Sequence, residues 1–264
     1  KKTSMADEIR RATRICVRSK QAVMDMFSEA RMGNAIDLSS VETALDEITD
    51  SVSRHPGALI SLARLKQADE YTYMHSVAVA ALMTALARQM QMNDEQTREA
   101  GLAGLLHDLG KMAISDDILN KPSSLTDNEF DQIRLHPQYG ARILKNSMSA
   151  VSPAVYKACL EHHEKMDGSG YPQKKREGQI SLLARMAAVC DVYDAVTSDR
   201  PYKKGWGPAD AIQRMAQWKG HFDPQIFQAF VRTVGIYPIG SLVRLTSGRL
   251  AVVIEQDEQS LLKP

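Results

Sequence analysis

The chain has 264 residues, with 33 Lys and Arg against 32 Asp and Glu, so its formal net charge is only +1; 44% of residues are hydrophobic and 25% charged. That balance excludes an extended nucleic-acid surface or a polybasic membrane anchor working through overall charge, and it fits a globular protein with a sizeable core. Three scattered cysteines, Cys16, Cys159 and Cys190, exclude a disulfide framework and a thiolate metal site, and point to a reducing, cytoplasmic setting.

Aromatics make up 6% of the chain while Met (13) and Ala are plentiful, which favours helices. No segment reaches the roughly 18 apolar residues that would span a bilayer. The longest, from Val77 to Ala87, is interrupted by Thr84 and reads as a buried helix. No signal peptide is visible. The sequence begins at Lys1 without a methionine, so upstream sequence is expected to be missing.

In chain order, residues 1 to 66 carry Ile15, Val23, Met26, Val41, Leu45 and Ile48 at mostly helical spacing, without a chemically suggestive cluster. They are expected to form a helical extension that serves as linker, regulatory or dimerisation segment. Ser39 with Glu42, Asn93 with Gln96 and Thr126 with Glu129 have capping-box spacing, and Ser152-Pro153 and Asp223-Pro224 put a capping residue before a proline at the first helical position. Each predicts a helix start. Leu102, Leu105, Leu106 and Leu109 recur at helical spacing, as do Leu182, Leu183, Met186, Val189 and Val192. Trp206 and Trp218 flank a helix beginning near Pro208 and read as packing. Two β-rich runs, 240–246 and 249–254, separated by Ser247-Gly248, predict a small C-terminal hairpin. The expectation is an all-α protein of about ten helices, divided into 1–66, a catalytic domain over 67–235, and the appendage 236–264.

Five of the seven histidines lie between positions 75 and 163. His107-Asp108 closes an apolar helix, with Lys111 one turn further on. A carboxylate can bridge two cations while histidines fill the outer positions, so Asp108 is a candidate bridge in a two-metal site. The second cluster runs Glu161-His162-His163-Glu164-Lys165-Met166-Asp167-Gly168-Ser169-Gly170-Tyr171-Pro172. Paired histidines before a glycine-rich turn suit the mouth of a site better than a core. Lys174-Lys175-Arg176 could sit at the mouth and attract an anionic ligand, but a charge run is usually a solvated turn and this one reads as such; His55 and His221 read as surface or capping residues.

Together these motifs resemble the signature of the HD-GYP family, a branch of the HD-domain metal-dependent phosphohydrolases that hydrolyse the bacterial second messenger cyclic di-GMP. The similarity covers about residues 68 to 240. It implies an HD-domain helical bundle and the metal ligands His75, His107, Asp108, His136, His162, His163 and Asp191. Five histidines and two aspartates suit two borderline divalent ions, Fe or Mn first, Ni or Zn as alternatives. Where some members carry a glutamate for a third ion, this chain has Tyr71, whose phenol is a weak ligand near neutral pH, so two ions are expected. The resemblance further implies that His107, Asp108 and Lys111 are catalytic and that Lys111, Tyr171, Arg200 and Lys203 contact the substrate. Asp194 is expected to partner a ligand or Arg200. The implied reaction is attack by a hydroxide bridging the ions, opening cyclic di-GMP to pGpG, with further cleavage to GMP left open. Two alternatives stand beside it: hydrolysis of another cyclic dinucleotide, and a silent cyclic di-GMP receptor that signals through its N-terminal helices to a partner or a second copy.

Overall fold

In the computed structural model, residues 5–63, 71–121, 123–147, 151–199 and 204–254 are described. Among them the chain folds as helices α1 (Met5–Arg31), α2 (Ser39–Arg54), α3 (Pro56–Ala63), α4 (Tyr71–Gln89), α5 (Asp94–Leu106), α6 (Asp116–Leu119), α7 (Asp127–Ile133), α8 (His136–Lys145), α9 (Pro153–Glu161), α10 (Leu182–Thr197), α11 (Pro208–Ala216) and α12 (Pro224–Val234). A 3-10 turn, Leu109–Ala113, follows α5, and strands β1 (Leu242–Arg244) and β2 (Leu250–Val252) close the described chain. None of these helices is long and apolar enough to cross a membrane.

Four of the five predicted starts form as the spacing requires. Asn93 and Thr126 make full capping boxes with Gln96 and Glu129, while Ser152 accepts from Val155 N and Asp223 from Gln225 N and Ile226 N. Each such cap is worth about 1 kcal/mol. The fifth differs. Leu38, not Ser39, is the N-cap of α2, and no side chain caps it. Asp37 takes over, accepting from the backbone N and the hydroxyl of Ser39 at 3.0 and 2.9 Å. A carboxylate one position before the N-cap outcompetes the hydroxyl because its charge faces the positive end of the helix dipole. Leu109, grouped by spacing with α5, lies in the 3-10 turn instead, because the chain leaves the α-helix at His107.

Helix α4 is the axis of the molecule. Between Val77 and Ala87 every residue is buried, and the helix packs on α1, α2, α3, α5, α10 and α12. Its many alanines let neighbours approach closely: a Cβ on Gly104 of α5 would sit 2.6 Å from Ala80 Cα. Only glycine permits that approach, and it brings His75 on α4 towards His107 at the end of α5. One apolar cluster runs from Ile15, Val23 and Phe27 of α1 through Leu82 and Leu86 of α4 to Val189 and Tyr193 of α10 and Phe230 of α12. The N-terminal helices therefore share their core with the helices that carry the histidines. Glu8, fully buried, fixes α1 to α2 by accepting from Arg54 Nε and Nη2 at 2.7 and 3.1 Å and from Ser51 Oγ at 2.8 Å. The hairpin pairs Leu242 with Val252 and Arg244 with Leu250 in antiparallel register, and Gly248 takes the positive φ its turn needs.

Candidate metal centre

Three of the histidines sit where helices end or begin, and each uses the local backbone to set its tautomer. The last carbonyls of a helix lack intrahelical partners. Nδ1 of His107 lies 2.8 Å from Gly104 O, that of His136 2.7 Å from Ile133 O, and that of His162 2.9 Å from Cys159 O. A carbonyl can only accept, so each Nδ1 carries the proton and each Nε2 presents a lone pair inward. His75, near the start of α4, uses a carboxylate instead, with its Nδ1 2.6 Å from Asp194 Oδ2 on α10. All of these groups except His163 are almost fully buried.

Around Asp108 the inward atoms form two sets. Asp108, His136, His162 and His163 offer donor atoms within 4.8 Å of one another, and so do His75, His107 and Asp108. Asp108 belongs to both: its Oδ1 is 3.3 Å from His136 Nε2, and its Oδ2 is 3.3 Å from His107 Nε2 and 3.5 Å from His75 Nε2. Asp191 on α10 spans the same two sets, with Oδ1 3.0 Å from His75 Nε2 and Oδ2 3.8 Å from His163 Nδ1. Lys111 Nζ rests 2.5 Å from Asp108 Oδ2. This cluster exists because Gly110 lets the 3-10 turn lie against the start of α8, where a Cβ would meet His136 O at 1.9 Å.

The donor set fits a cation. Nε2 of His136 and Nε2 of His162 face each other at 3.1 Å, lone pair to lone pair. His107 Nε2 and Asp108 Oδ1 are buried and make no hydrogen bond. Burial disfavours the charged form of His107, but Asp108 and then Asp191 overcome it and hold that imidazole above its usual range; between His136 and His162, by contrast, a proton does not resolve the conflict. Burial, with neighbouring histidine charge, holds His162 well below the usual imidazole range and takes His136 to about 3 and His163 to about 4. Burial opposes ionisation of Asp108, but Lys111 and the histidines overcome it and hold the carboxyl well below its usual range; His75 and other imidazoles do the same for Asp191. Imidazoles that turn a ring nitrogen inward, ionised aspartates and no thiolate are a donor set that suits a borderline divalent ion.

Tyr171 closes the mouth, its ring stacked on His163 at 4.7 Å and 28°. Burial, and then the two aspartates, push its hydroxyl pKa up, so it remains an O–H donor. Arg200 and Lys203, and the side chain of Tyr71, lie outside the described residues. Two residues inside the quoted motif carry a role that the sequence did not show. Glu164 accepts from Gln173 N at 2.6 Å and Lys175 N at 3.0 Å, and Glu161 accepts from Lys175 Nζ at 2.6 Å and Ser181 N at 2.8 Å. Both glutamates are buried, and they pin the loop bearing Tyr171 to the end of α9. Lys175 is thus half-buried and paired, whereas Lys174 and Arg176 are exposed as expected. His221 is neither a cap nor a plain surface residue: it stacks between Trp218 and Phe222 at 5.3 and 4.3 Å. Trp206 and Trp218 meet edge to face at 6.3 Å across α11.

A helical bundle with a His-Asp pair at its centre defines a class of metal-dependent phosphohydrolase. The family model described as HD domain matches residues 48–226, and the chain belongs to that family. The relatives are specific. Over 263 residues the chain is 63% identical to "Cyclic di-GMP phosphodiesterase PA4108" of Pseudomonas aeruginosa, covering 100% of this chain and 63% of that protein. It is 37% identical over 177 residues to "Cyclic di-GMP phosphodiesterase response regulator RpfG" of Xanthomonas campestris pv. campestris, covering 65% of this chain and 47% of the relative. The chain thus spans less than two thirds of the length of either. Among solved structures, Bd1817, an HDG"Y"P protein from Bdellovibrio bacteriovorus, superposes with a TM-score of 0.71 at 22% identity over 87% of this chain and 73% of that one, which is a likeness of fold.

Proposed function

We propose that this chain is a metal-dependent phosphodiesterase that opens cyclic di-GMP to linear pGpG. The observation that carries the chemistry is the sharing of Asp108 between two sets of donor atoms, each compact enough for one ion. The substrate is taken from the activity named for the relatives. His75 and His107 would hold one ion, His136, His162 and His163 the other, with Asp108 and Asp191 between them. Two divalent ions so held supply Lewis acidity, screening the phosphodiester's charge and acidifying the attacking water.

The protein's own groups do the rest. The backbone carbonyls and Asp194 orient His75, His107, His136 and His162 with Nε2 turned inward, so these donors are in place before substrate arrives. Lys111 keeps Asp108 ionised and adds fixed positive charge where the phosphoryl oxygens gain negative charge. Tyr171, protonated and stacked on His163, donates a hydrogen bond at the mouth and excludes water from that side. Arg200 and Lys203 are proposed as further phosphate contacts. The test is product analysis with the metal-loaded protein, on cyclic di-GMP and on cyclic dinucleotides with adenine in place of guanine. Conversion of cyclic di-GMP to pGpG, lost in the H107A/D108A double variant, is the expected result. Metal-dependent turnover retained in that variant refutes the site; faster turnover of an adenine-containing dinucleotide refutes the substrate.

A further inference from the structure

A column of planar groups runs from the cluster to the surface. It starts at the His163–Tyr171 stack, continues with the Arg134 guanidinium 5.8 Å from the Tyr171 ring centre, and ends at Phe130, over which the same guanidinium lies at 4.5 Å. Phe130 and Arg134 are four residues apart at the end of α7 and so share one helix face. Helix α7 buries none of its own residues. Phe130 is 41% exposed and the Arg134 side chain 48%, so core packing accounts for neither. Arg134 Nη1 donates to Asp131 at 3.2 Å, an exposed pair of the kind worth little, and one that occupies a single corner of a five-donor fork. Lys111, by contrast, is committed to Asp108.

We propose that Arg134 is a specificity residue that reads one guanine base of the substrate, donating two in-plane N–H groups to its O6 and N7, with Phe130 holding the guanidinium in position. This rests on the reading of the chain as a cyclic di-GMP phosphodiesterase and goes beyond it. In a cyclic dinucleotide the base lies one ribose away from the scissile phosphate. Arg134 lies two ring contacts out from a proposed ligand, while the groups nearer the centre face the phosphate. A planar fork matches the guanine edge bidentately, and adenine offers a donor where guanine offers O6, so the contact discriminates. A ring beneath the guanidinium restricts it to one plane without consuming a donor.

The test compares R134A, R134K and F130A with the parent protein on cyclic di-GMP and on bis(p-nitrophenyl) phosphate, a phosphodiester without a base. One bidentate base contact corresponds to about a ten- to hundredfold rise in KM for cyclic di-GMP, with kcat within about threefold. The loss on cyclic di-GMP should exceed that on the base-free ester at least tenfold. R134K, which keeps the charge but not the fork, should resemble R134A, and F130A should show a smaller rise in KM of the same kind. Equal losses on both esters, full rescue by lysine, or an unchanged KM in R134A each overturn the proposal. They leave the parent's cyclic di-GMP activity intact, and so leave the proposed function standing. A parent protein that cleaves the base-free ester but not cyclic di-GMP would overturn both. Arg134 is half exposed, and the melting temperature checks that each variant is folded.

Discussion

The position in the candidate centre with least room for a side chain is Gly110. A Cβ on Gly110 would lie 1.9 Å from His136 O and 2.4 Å from Gly140 N, both backbone atoms that no rotamer change can move. Nonbonded atoms need about 3.5 Å, so Gly110→Ala must part the 3-10 turn from α8 by roughly 1.5 Å. The turn directly follows Asp108 and α8 begins with His136, whose Nε2 is 3.3 Å from Asp108 Oδ1. Parting them takes that pair to about 5 Å, whereas two atoms bound to one ion at about 2.1 Å each can be no more than about 4.2 Å apart. The expected outcome is loss of the ion held by His136, His162 and His163, and a fall in turnover of about a hundredfold or more, the usual scale for a 1 Å displacement at a reacting centre. Overpacking of this kind costs about 1–3 kcal/mol, or a few degrees in melting temperature. The assay is metal content per chain after anaerobic reconstitution, with cyclic di-GMP turnover and a thermal melt. Gly207→Ala, whose Cβ would sit an ordinary 3.6 Å from Asp210, is the matched substitution. If G110A retains two ions and parental turnover, then the turn can move without its ligands and the geometric reasoning is wrong.

Three further outcomes follow from the same geometry. Asp194→Asn removes the charge that orients His75 at 2.6 Å and should weaken metal affinity about 10- to 100-fold, read by competition with a chelator; unchanged affinity would show that His75 needs no such partner. Metal analysis of anaerobically loaded protein should give two ions per chain, and three would refute the argument from Tyr71. His221 titrates lower than a free imidazole, at about 4 rather than 6.5, because burial disfavours its charged form. Between those values the unfolded chain binds the extra proton, so this residue makes stability fall as pH drops from about 6.5 towards 4 and contributes nothing above that window. Urea unfolding of the H221F variant should therefore show more stability relative to the parent near pH 5 than near pH 7.5, and an identical difference at both would refute the assignment.

How much of this was legible in the sequence depends on the range over which each residue acts. Caps at Asn93, Thr126, Ser152 and Asp223 are local, four-residue devices, and they formed as spacing required. The failure at Ser39 was local as well: two oxygen acceptors competed for one helix end, and a pattern that counts spacing does not rank them. The histidines and aspartates could be named because their types and motifs are distinctive, yet nothing in a linear string shows that four elements converge on Asp108. That convergence comes from Gly104 and Gly110, which act through backbone atoms about 25 residues away in the chain, at Ala80 and His136.

Glu161 and Glu164 make the complementary point. They flank a histidine pair at the end of a helix, and nothing in the string marks them as buried, since glutamate is almost never fully buried unless paired. Their partners are mostly backbone amides of residues 173 to 181, groups with no sequence identity at all. The same reasoning explains why Lys175 was misread within Lys174-Lys175-Arg176: its neighbours are exposed, and only the fold supplies the buried Glu161 that sets it apart. A Glu164→Gln substitution would keep the shape and one carbonyl acceptor while replacing the other acceptor with a donor aimed at an N–H. The loop carrying Tyr171 should then loosen without any ligand being touched. The centre would keep its two ions while KM for the dinucleotide rises, a separation of metal binding from substrate binding that titration and kinetics can read independently. Loss of metal in E164Q would show instead that the loop and the ligands are one cooperative unit.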